Sequence, residues 1–185
     1  NIDARNGIIE DHNSGVYNHT NVHDVVVKNV FLRGINAGSG GNDFSFVNNV
    51  VQNVQGSQFS VAVFAFDARG TIKGNNVSAA GDAISVNHSR GVKIVGNTVS
   101  DSGSGIHVDN SLTPAPGVSK DRIQANTVTD CRVGAYGIWL FVPGADALVD
   151  GNSVSYCQVG LALVGGGAGK DITFTGNTVL GDADG

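Results

Sequence analysis

The sequence predicts an all-β protein built as a solenoid of short strands, and two observations support that prediction. The first is composition: the 185 residues include 27 Gly, 19 Asn and 15 Asp but a single glutamate, Glu10. Surface helices are normally built from Glu, Lys, Gln, Ala and Leu, whereas Gly, Asn and Asp favour turns. The second is an internal repeat with a step of 22 to 29 residues, which places an Asn at the same point of each repeat.

Charge and apolar content narrow the class of protein further. The formal net charge is −5 and the 11 basic residues are scattered, so the sequence lacks the stripe of Lys and Arg that is typical of nucleic-acid binding. The hydrophobic fraction of 41% is enough for a core. The longest apolar run, Val61–Phe66, is far shorter than the roughly 20 residues of a membrane span. We therefore expect no nucleic-acid partner and no membrane span.

The length suits a single domain over residues 1–185. The chain starts at Asn1 without an initiator Met, and no signal peptide is visible. We therefore expect a mature form or part of a longer protein.

The repeat is defined by one asparagine and the apolar residues around it. The residue three positions before each aligned Asn and the residue two positions after it are apolar in all six repeats. The residue just before the Asn is Gly in four repeats, as expected where the chain turns sharply with a positive φ. Asn29 is the expected first member of this column, although its step of 20 residues to the next member is short. The six aligned residues are Asn49, Asn75, Asn97, Asn126, Asn152 and Asn177.

A second pair of apolar columns lies between the asparagines. Its members alternate with outward residues, with the period of two that is typical of β-strands, and no segment has room for the ten or so periodic residues of a helix. Each repeat is therefore predicted to form three short strands with one apolar side facing a common interior. The paired residues are Ile84 and Val86, Ile106 and Val108, Ile138 and Leu140, and Leu161 and Leu163.

Three strands per coil, a coil of 22 or more residues and an Asn at one turn resemble the right-handed parallel β-helix repeat of pectate-lyase-like proteins. The resemblance covers residues 22–180 and implies a solenoid of about seven three-strand coils, in which the asparagines hydrogen-bond from coil to coil. Leucine-rich repeats fit less well because the LxxLxL pattern and the helical segment are missing. A left-handed hexapeptide helix would need a coil of about 18 residues, and RTX repeats would need a GGxGxDxxx motif that does not recur.

The two cysteines are placed by the same repeat. Cys131 and Cys157 are 26 residues apart, which equals the step from Asn126 to Asn152, so we expect them on neighbouring coils about 4.8 Å apart. That separation is compatible with a disulfide. Two buried thiols that pack as small apolar residues are the simpler interpretation, and we favour it. Catalysis or metal binding by these residues is not expected because there is no CxxC motif.

The interior of such a solenoid is filled by packing, so ligand chemistry has to use outward side chains and the loops beside them. By resemblance to pectate-lyase-like enzymes, the site lies on the outer sheet that contains Ile84, Ile106 and Ile138. On that sheet two aromatic pairs flank a polar patch, which suits stacking on sugar rings and hydrogen bonding to hydroxyls. The alternative is that the aromatic side chains only stack on their neighbours. The predicted saccharide-binding residues are Phe64, Phe66, Asn87, Arg90, Trp139 and Phe141.

His107 and Asp109 are the best candidates for acid–base chemistry, with His88 nearby on the preceding coil. Histidine titrates near neutral pH, and a carboxylate beside it would orient the ring and raise its pKa. We therefore predict that His107 accepts a proton and that Asp109 orients it. The alternative is a chance outward His beside an Asp, which is common.

Removing the α proton of a uronate also requires a cation that neutralises the sugar carboxylate. The sequence identifies no certain cofactor. Ca²⁺ is the one candidate, because the stacked carboxylates of Asp101 and Asp130 could bind it, although two carboxylates in successive turns are more often simply solvated. Basic side chains could serve instead, although solubility is the simpler explanation of them. The basic candidates are Arg69, Arg90, Lys120 and Arg122.

The segments GDAISV (81–86) and GSGIHV (103–108) resemble the GDDxIxI and GHGIxI motifs of polygalacturonases. Asp82 matches one acidic position, but Ala83 and Ser104 stand where that family has its next Asp and its His. Because inverting glycoside hydrolysis needs a pair of carboxylates, we do not expect it here. The motifs of mannuronan epimerases and of Ca²⁺-dependent pectate lyases are not matched either.

The leading hypothesis from the sequence is an extracellular or cell-surface protein that binds or processes an acidic polysaccharide or oligosaccharide, as a lyase or an epimerase. The polar and aromatic residues around His107 favour it. The alternative is a non-catalytic solenoid, a carbohydrate-binding or structural part of an adhesin, a phage fibre or a larger enzyme. The missing enzyme motifs favour that alternative.

Overall fold

A computed structural model describes residues 4–10, 17–38, 40–88, 91–110, 120–132 and 135–181. Within these ranges the chain forms strands and turns and no helix, so no described segment could cross a membrane as an apolar helix. The strands are β1 (Asn6–Ile9), β2 (Asn21–His23), β3 (Val26–Val30), β4 (Arg33–Ala37), β5 (Asn42–Val47), β6 (Val50–Val54), β7 (Val61–Phe66), β8 (Arg69–Lys73), β9 (Asn76–Ala80), β10 (Asp82–Asn87), β11 (Lys93–Val95), β12 (Thr98–Ser100), β13 (Ser104–Asp109), β14 (Asp121–Gln124), β15 (Thr127–Thr129), β16 (Tyr136–Asp150), β17 (Ser153–Ser155), β18 (Val159–Thr175) and β19 (Thr178–Leu180).

The strands stack as a parallel β-solenoid with three faces. The first face contains β1, β4, β7, β10 and β13, the second contains β2, β5, β8, β11 and β14, and the third stacks β3, β6, β9, β12, β15, β17 and β19. The long strands β16 and β18 run through the first and second faces in turn and so join them into a single sheet. The three-strand coil expected from the sequence is thus confirmed, although the last two coils merge two of their strands.

The number of turns is slightly lower than expected. Among the described residues the third face has seven strands, so the chain passes from one coil to the next six times, against the seven coils predicted. The two numbers differ because seven stacked strands are separated by only six complete turns.

The apolar columns predicted from the repeat form the core. Ile72, Ile94 and Ile123 on the second face and Val77 and Val128 on the third are almost completely buried. Burying one such side chain contributes roughly 1.5–3 kcal/mol. The columns end at the last coil, where Leu163 and Val179 are about half exposed.

The aligned asparagines form a continuous ladder between the second and third faces. In each of the five pairs from Asn49 to Asn177, Nδ2 donates to Oδ1 of the next Asn at 2.8–2.9 Å. The backbone N–H of the same residue donates to the same oxygen at 2.9–3.0 Å. Nδ2 also donates to a backbone carbonyl of the preceding coil, at 2.9–3.0 Å. The hydrogen-bonding capacity of these mostly buried amides is therefore used inside the protein.

The expectation that Asn29 starts the ladder is wrong. Because Val26 pairs with Val50, Val25 is the residue aligned with Asn49, and its N–H donates to Asn49 Oδ1 at 3.2 Å. Asn29 lies farther along β3 with a φ of 58°, and its Oδ1 accepts a hydrogen bond from Asn53 Nδ2 at 2.7 Å. The short step from Asn29 in the sequence therefore reflects a different, exposed asparagine pair.

The residue before each ladder Asn has a positive φ, as the glycines there predict. Gly96 and Gly151 have φ values of 63°. Ala125 occupies the same position in another repeat with a φ of 52°, a conformation that is unfavourable for a residue with a Cβ.

A row of small residues lines the start of the first face, against the valines of the third face. An added Cβ would lie 2.5 Å from Val51 Cγ1 at Gly34 and 2.6 Å from Val128 Cγ1 at Gly105. Ala83, two strands along from Gly34, is likewise fully buried. Packing therefore explains the small residue where polygalacturonases have an acidic one.

The cysteines form a disulfide. Cys131 and Cys157 are joined with a Cα–Cα distance of 4.6 Å, close to the spacing expected of neighbouring coils. The expectation of two free thiols is therefore wrong, because stacking on adjacent coils brings the side chains within bonding distance.

Candidate functional site

The outward residues of the first face form two rows that cross neighbouring coils, here called the outer stripe. One row aligns Asn36, Phe64, Ser85, His107 and Trp139 through the register of β4, β7, β10, β13 and β16. The second row aligns Phe66, Asn87, Asp109 and Phe141 in the same strands. Apart from Arg90, which lies outside the described residues, the side chains predicted to bind saccharide thus share one face.

His107 lies at the centre of the outer stripe and stacks on Trp139. The two rings are parallel within 4°, with centroids 3.6 Å apart. His107 Nδ1 lies 3.3 Å from Ser85 Oγ. Nε2 of His107 and Nε1 of Trp139 are both shielded from solvent, and neither has a hydrogen-bond partner among the described residues.

The hydrogen-bond chain through Ser85 indicates which nitrogen of His107 carries the proton. Asn87 Oδ1 can only accept, so the Ser85 hydroxyl donates to it at 3.0 Å. A lone pair of Ser85 Oγ is then left to accept from Nδ1–H of His107. With Asn87 in this orientation, Nε2 is the unprotonated nitrogen of the neutral ring and is the one able to accept a proton.

The pKa of His107 is lowered from its ordinary value of 6.5. Burial is the largest cause because it disfavours the charged ring, while the carboxylates of Asp82 and, more weakly, Asp109 oppose it. The imidazole is therefore neutral at pH 7. The expected rise from Asp109 is present but is outweighed by burial.

Asp82 is part of the site, although sequence reasoning used it only in a motif comparison. Its Oδ1 accepts a hydrogen bond from Ser104 Oγ at 2.7 Å, across the register of β10 and β13. Its negative charge also acts to raise the pKa of both His107 and Arg33, against the effect of burial. Ser104, which replaces the histidine of the polygalacturonase motif, thus serves here as a hydrogen-bond donor to Asp82.

Arg33 was missed by the sequence reasoning. Its Cζ lies 4.6 Å from the centroid of the Phe64 ring, a cation–π contact. Its Nη1 donates to the carbonyls of Leu32 and Phe59, at 3.1 Å for the first. Burial lowers the pKa of Arg33, and Asp82 opposes that shift. Aligning the segment Arg33–Ala37 with Val61–Phe66 in the sequence would have placed Arg33 on the first face.

Asn36 was missed for the same reason. It is aligned with Phe64 and only 5% exposed, and its Oδ1 has no hydrogen-bond partner among the described residues. A buried acceptor without a partner is costly, so its presence beside the aromatic residues is a sign of ligand binding.

The remaining aromatic residues extend the outer stripe. The ring centroids of Phe64 and Phe66 are 6.4 Å apart, and His88 packs edge-on to Phe66 at 5.1 Å. Phe141 is 39% exposed. His88 thus contacts an aromatic ring of the stripe.

The other basic candidates lie away from His107. Arg69 begins β8 and Arg122 lies in β14, both on the second face, and Lys120 directly precedes β14. Arg33 is the cation that the described residues place against the aromatic side of the first face.

The Ca²⁺ candidates have a structural explanation. Asp101 and Asp130 have φ values of 49° and 53°, a region in which Asp is favoured over most residues. Asp130 Oδ2 also accepts a hydrogen bond from Thr129 Oγ1 at 3.1 Å. The described part of the chain has no group of three or more His, Cys, Asp or Glu side chains that could hold a metal ion.

A family model described as a right-handed beta helix region matches residues 6–179. No curated protein and no solved structure matches the chain.

Proposed function

The chain belongs to the right-handed β-helix family, and from this premise we propose that its outer stripe binds an acidic polysaccharide or oligosaccharide. The observation that carries the proposal is the continuous row from Asn36 to Trp139, which combines aromatic rings with polar atoms that are buried and unpartnered. Sugar rings stack on aromatic faces, and once the side chains that cover these atoms shift, sugar hydroxyls supply the hydrogen bonds that the atoms lack.

The length and the charge of the outer stripe suit a chain of sugars rather than a single sugar. Five neighbouring strands, spaced about 4.8 Å apart, carry the row, so it extends over about 19 Å. Arg33 provides a cation at one end, held by Phe64 and by backbone carbonyls. A guanidinium with a fixed position is well suited to bind a carboxylate.

The disulfide supports a location outside the cell. Cys131 and Cys157 are bonded between neighbouring coils, and such bonds persist in oxidising environments. A secreted or cell-surface protein meets acidic polysaccharides there.

Binding is tested by isothermal titration with oligosaccharides of galacturonate and of mannuronate, and with a neutral glucan as reference. Trp139→Ala lowers affinity about tenfold because it removes a stacking surface. Tyr156→Ala is the matched control, since Tyr156 is 56% exposed and directly follows β17 of the third face, outside both rows of the outer stripe. Equal affinity for all three ligands, or no effect of Trp139→Ala, contradicts the proposal.

A second candidate function is proton abstraction from a bound uronate, and the protonation pattern of His107 favours it. Nε2 is unprotonated and the ring is neutral at pH 7, as a general base requires. Nε2 takes the proton at C5, and in a lyase the electron pair forms a C4=C5 double bond as the C4–O bond breaks. The leaving oxygen takes up a proton. In an epimerase a proton returns to the opposite side of C5.

Access limits this reaction. Because Nε2 is shielded from solvent, substrate reaches it only when the His107 ring or its cover shifts. Elimination is measured as the absorbance of the unsaturated uronate, and epimerisation by NMR of the polymer. Activity lost in His107→Gln but kept in His23→Gln supports catalysis. Binding without either reaction leaves the non-catalytic solenoid as the function.

A further inference from the structure

The second face carries a groove that the outer stripe does not use. It has a volume of about 320 Å³ and lies across β5, β8 and β11. That volume falls at the lower end of small-ligand sites, and it is enough for one or two sugar rings. Its lining includes Asp43, Ser45, Arg69, Thr71 and Lys93.

The polar side chains of the groove are aligned by the stacking of the coils. Ser45, Thr71 and Lys93 face one another in register across three neighbouring strands. Arg69 begins the middle strand, opposite Asn42. Two hydroxyls and two cations therefore converge on one stretch of surface.

These side chains have hydrogen-bonding capacity that the described residues leave unused. The hydroxyls of Ser45 and Thr71 and the charged groups of Arg69 and Lys93 make no hydrogen bond or ion pair with any described residue. The cations of the groove are thus free to bind a ligand.

A β-bulge shapes the edge of the groove. The pairing of β5 with β8 shifts between Asn42 and Phe44, so Asp43 is an extra residue, with a φ of 59°. Its carboxylate lies 3.7 Å from His19 Nδ1, and both side chains are largely exposed. Bulges of this kind redirect side chains and are common beside binding sites.

The local charge favours an anion. Arg69 and Lys93 carry two positive charges in the groove against the one negative charge of Asp43. Arg122 is the next residue in register after Lys93 and extends the positive surface along the second face. Because the protein as a whole has a net charge of −5, this local excess of positive charge does not follow from its overall composition.

We propose that this groove is a second saccharide site, which binds one negatively charged sugar residue. Arg69 and Lys93 contact its carboxylate or sulfate, and Ser45 and Thr71 hydrogen-bond its hydroxyls. The site shares no residue with the outer stripe, so ligand binding in the groove can be tested independently of binding on the first face.

The test uses three ligands with the same sugar ring: galactose, galacturonate and galactose 6-sulfate. Titration of the full chain, followed by amide NMR, is expected to show saturable shifts at Ser45, Thr71 and Lys93 with the charged sugars only. The double variant Arg69→Gln/Lys93→Gln weakens binding about tenfold or more, because it removes two charged hydrogen-bond donors. A preference between the two charged sugars identifies the anionic group as carboxylate or sulfate.

Two controls separate this site from the outer stripe and from general charge. Lys28→Gln, on the third face, removes one exposed charge without touching the groove and should leave the shifts unchanged. Arg33→Gln should weaken binding on the first face only. Inorganic sulfate that binds as tightly as galactose 6-sulfate overturns the role of the hydroxyls, and shifts that persist in the double variant overturn the site.

Discussion

The asparagine ladder and the outer stripe are both rows of side chains stacked from coil to coil, yet they treat buried polar atoms in opposite ways. In the ladder, Asn97 Nδ2 donates to both Asn126 Oδ1 and Ile72 O. In the outer stripe, Asn36 Oδ1, His107 Nε2 and Trp139 Nε1 are shielded from water and have no partner among the described residues. The same stacking thus produces one row in which the polar atoms are satisfied and a second row, the outer stripe, in which they are not.

The sharpest test of this difference is one substitution in each row. Asn97→Ala leaves the N–H and Nδ2 of Asn75 without their acceptor, so we expect a loss of about 3–5 kcal/mol in the free energy of unfolding. Asn36→Leu removes an acceptor that has no partner among the described residues, so its effect should be within about 0.5 kcal/mol or stabilising. Urea denaturation measures both. Similar losses in the two variants would contradict the distinction.

Removing the disulfide tests how far the coils depend on the ladder alone. Replacing both Cys131 and Cys157 by Ala frees a loop closed over 26 residues, so we expect a loss of about 3 kcal/mol. The same loss should appear when the unmodified protein is denatured with a reducing agent present. A denaturation midpoint that reduction leaves unchanged would show that the hydrogen-bonded rows hold these coils together without the covalent link.

The pH dependence of stability probes the outer stripe specifically. Because burial lowers the pKa of His107 in the folded state, the unfolded chain binds a proton at pH values where the folded protein does not. Stability is therefore full above about pH 6.5, decreases as the pH falls from there through the lowered pKa, and then levels off. His107→Gln should flatten this decrease.

His23→Gln is the control for the pH experiment, since His23 is exposed and lies 3.0 Å from Asp24. Thermal melts between pH 5 and pH 8 give the comparison. A decrease that is unchanged in His107→Gln would mean that the buried ring is not the group responsible.

The smallest expected effect lies in the turn that leads into the ladder. Ala125 has the positive φ that glycines adopt at the same position of other repeats, so Ala125→Gly should stabilise the protein by about 1 kcal/mol. Gly151→Ala, with a φ of 63° and nothing within 4 Å of an added Cβ, should destabilise it by a similar amount. Opposite signs in equilibrium denaturation are expected, and equal signs would contradict the role of backbone strain.

The ladder and the interior were predictable from the sequence because both recur with the step of the coil. A column such as Ile72, Ile94 and Ile123 is visible without knowing any contact. The first coil was misassigned because Val25 replaces the Asn of the ladder and Asn29 lies nearby. Once the marker residue changes, the period alone does not define the register.

The candidate site was predictable only in part. The outward row through Ser85, His107 and Trp139 follows from the alternation of the strands. Arg33 and Asn36 were missed because the first-face alignment was not extended to β4. The stacking of His107 on Trp139 and the direction of its pKa shift depend on burial across coils, which residue spacing does not reveal.

The side-chain hydrogen bonds of the ladder all have the same direction along the axis of the solenoid. Each rung from Asn49 to Asn152 donates both its N–H and its Nδ2 to the oxygen of the next rung, and no rung among the described residues points the other way. The amide dipoles are therefore aligned along the axis and polarise one another, so a middle rung such as Asn97 is held more strongly than an identical pair in isolation. Removing one Asn side chain consequently weakens the hydrogen bonds of the rungs on both sides, and the row behaves as one cooperative unit.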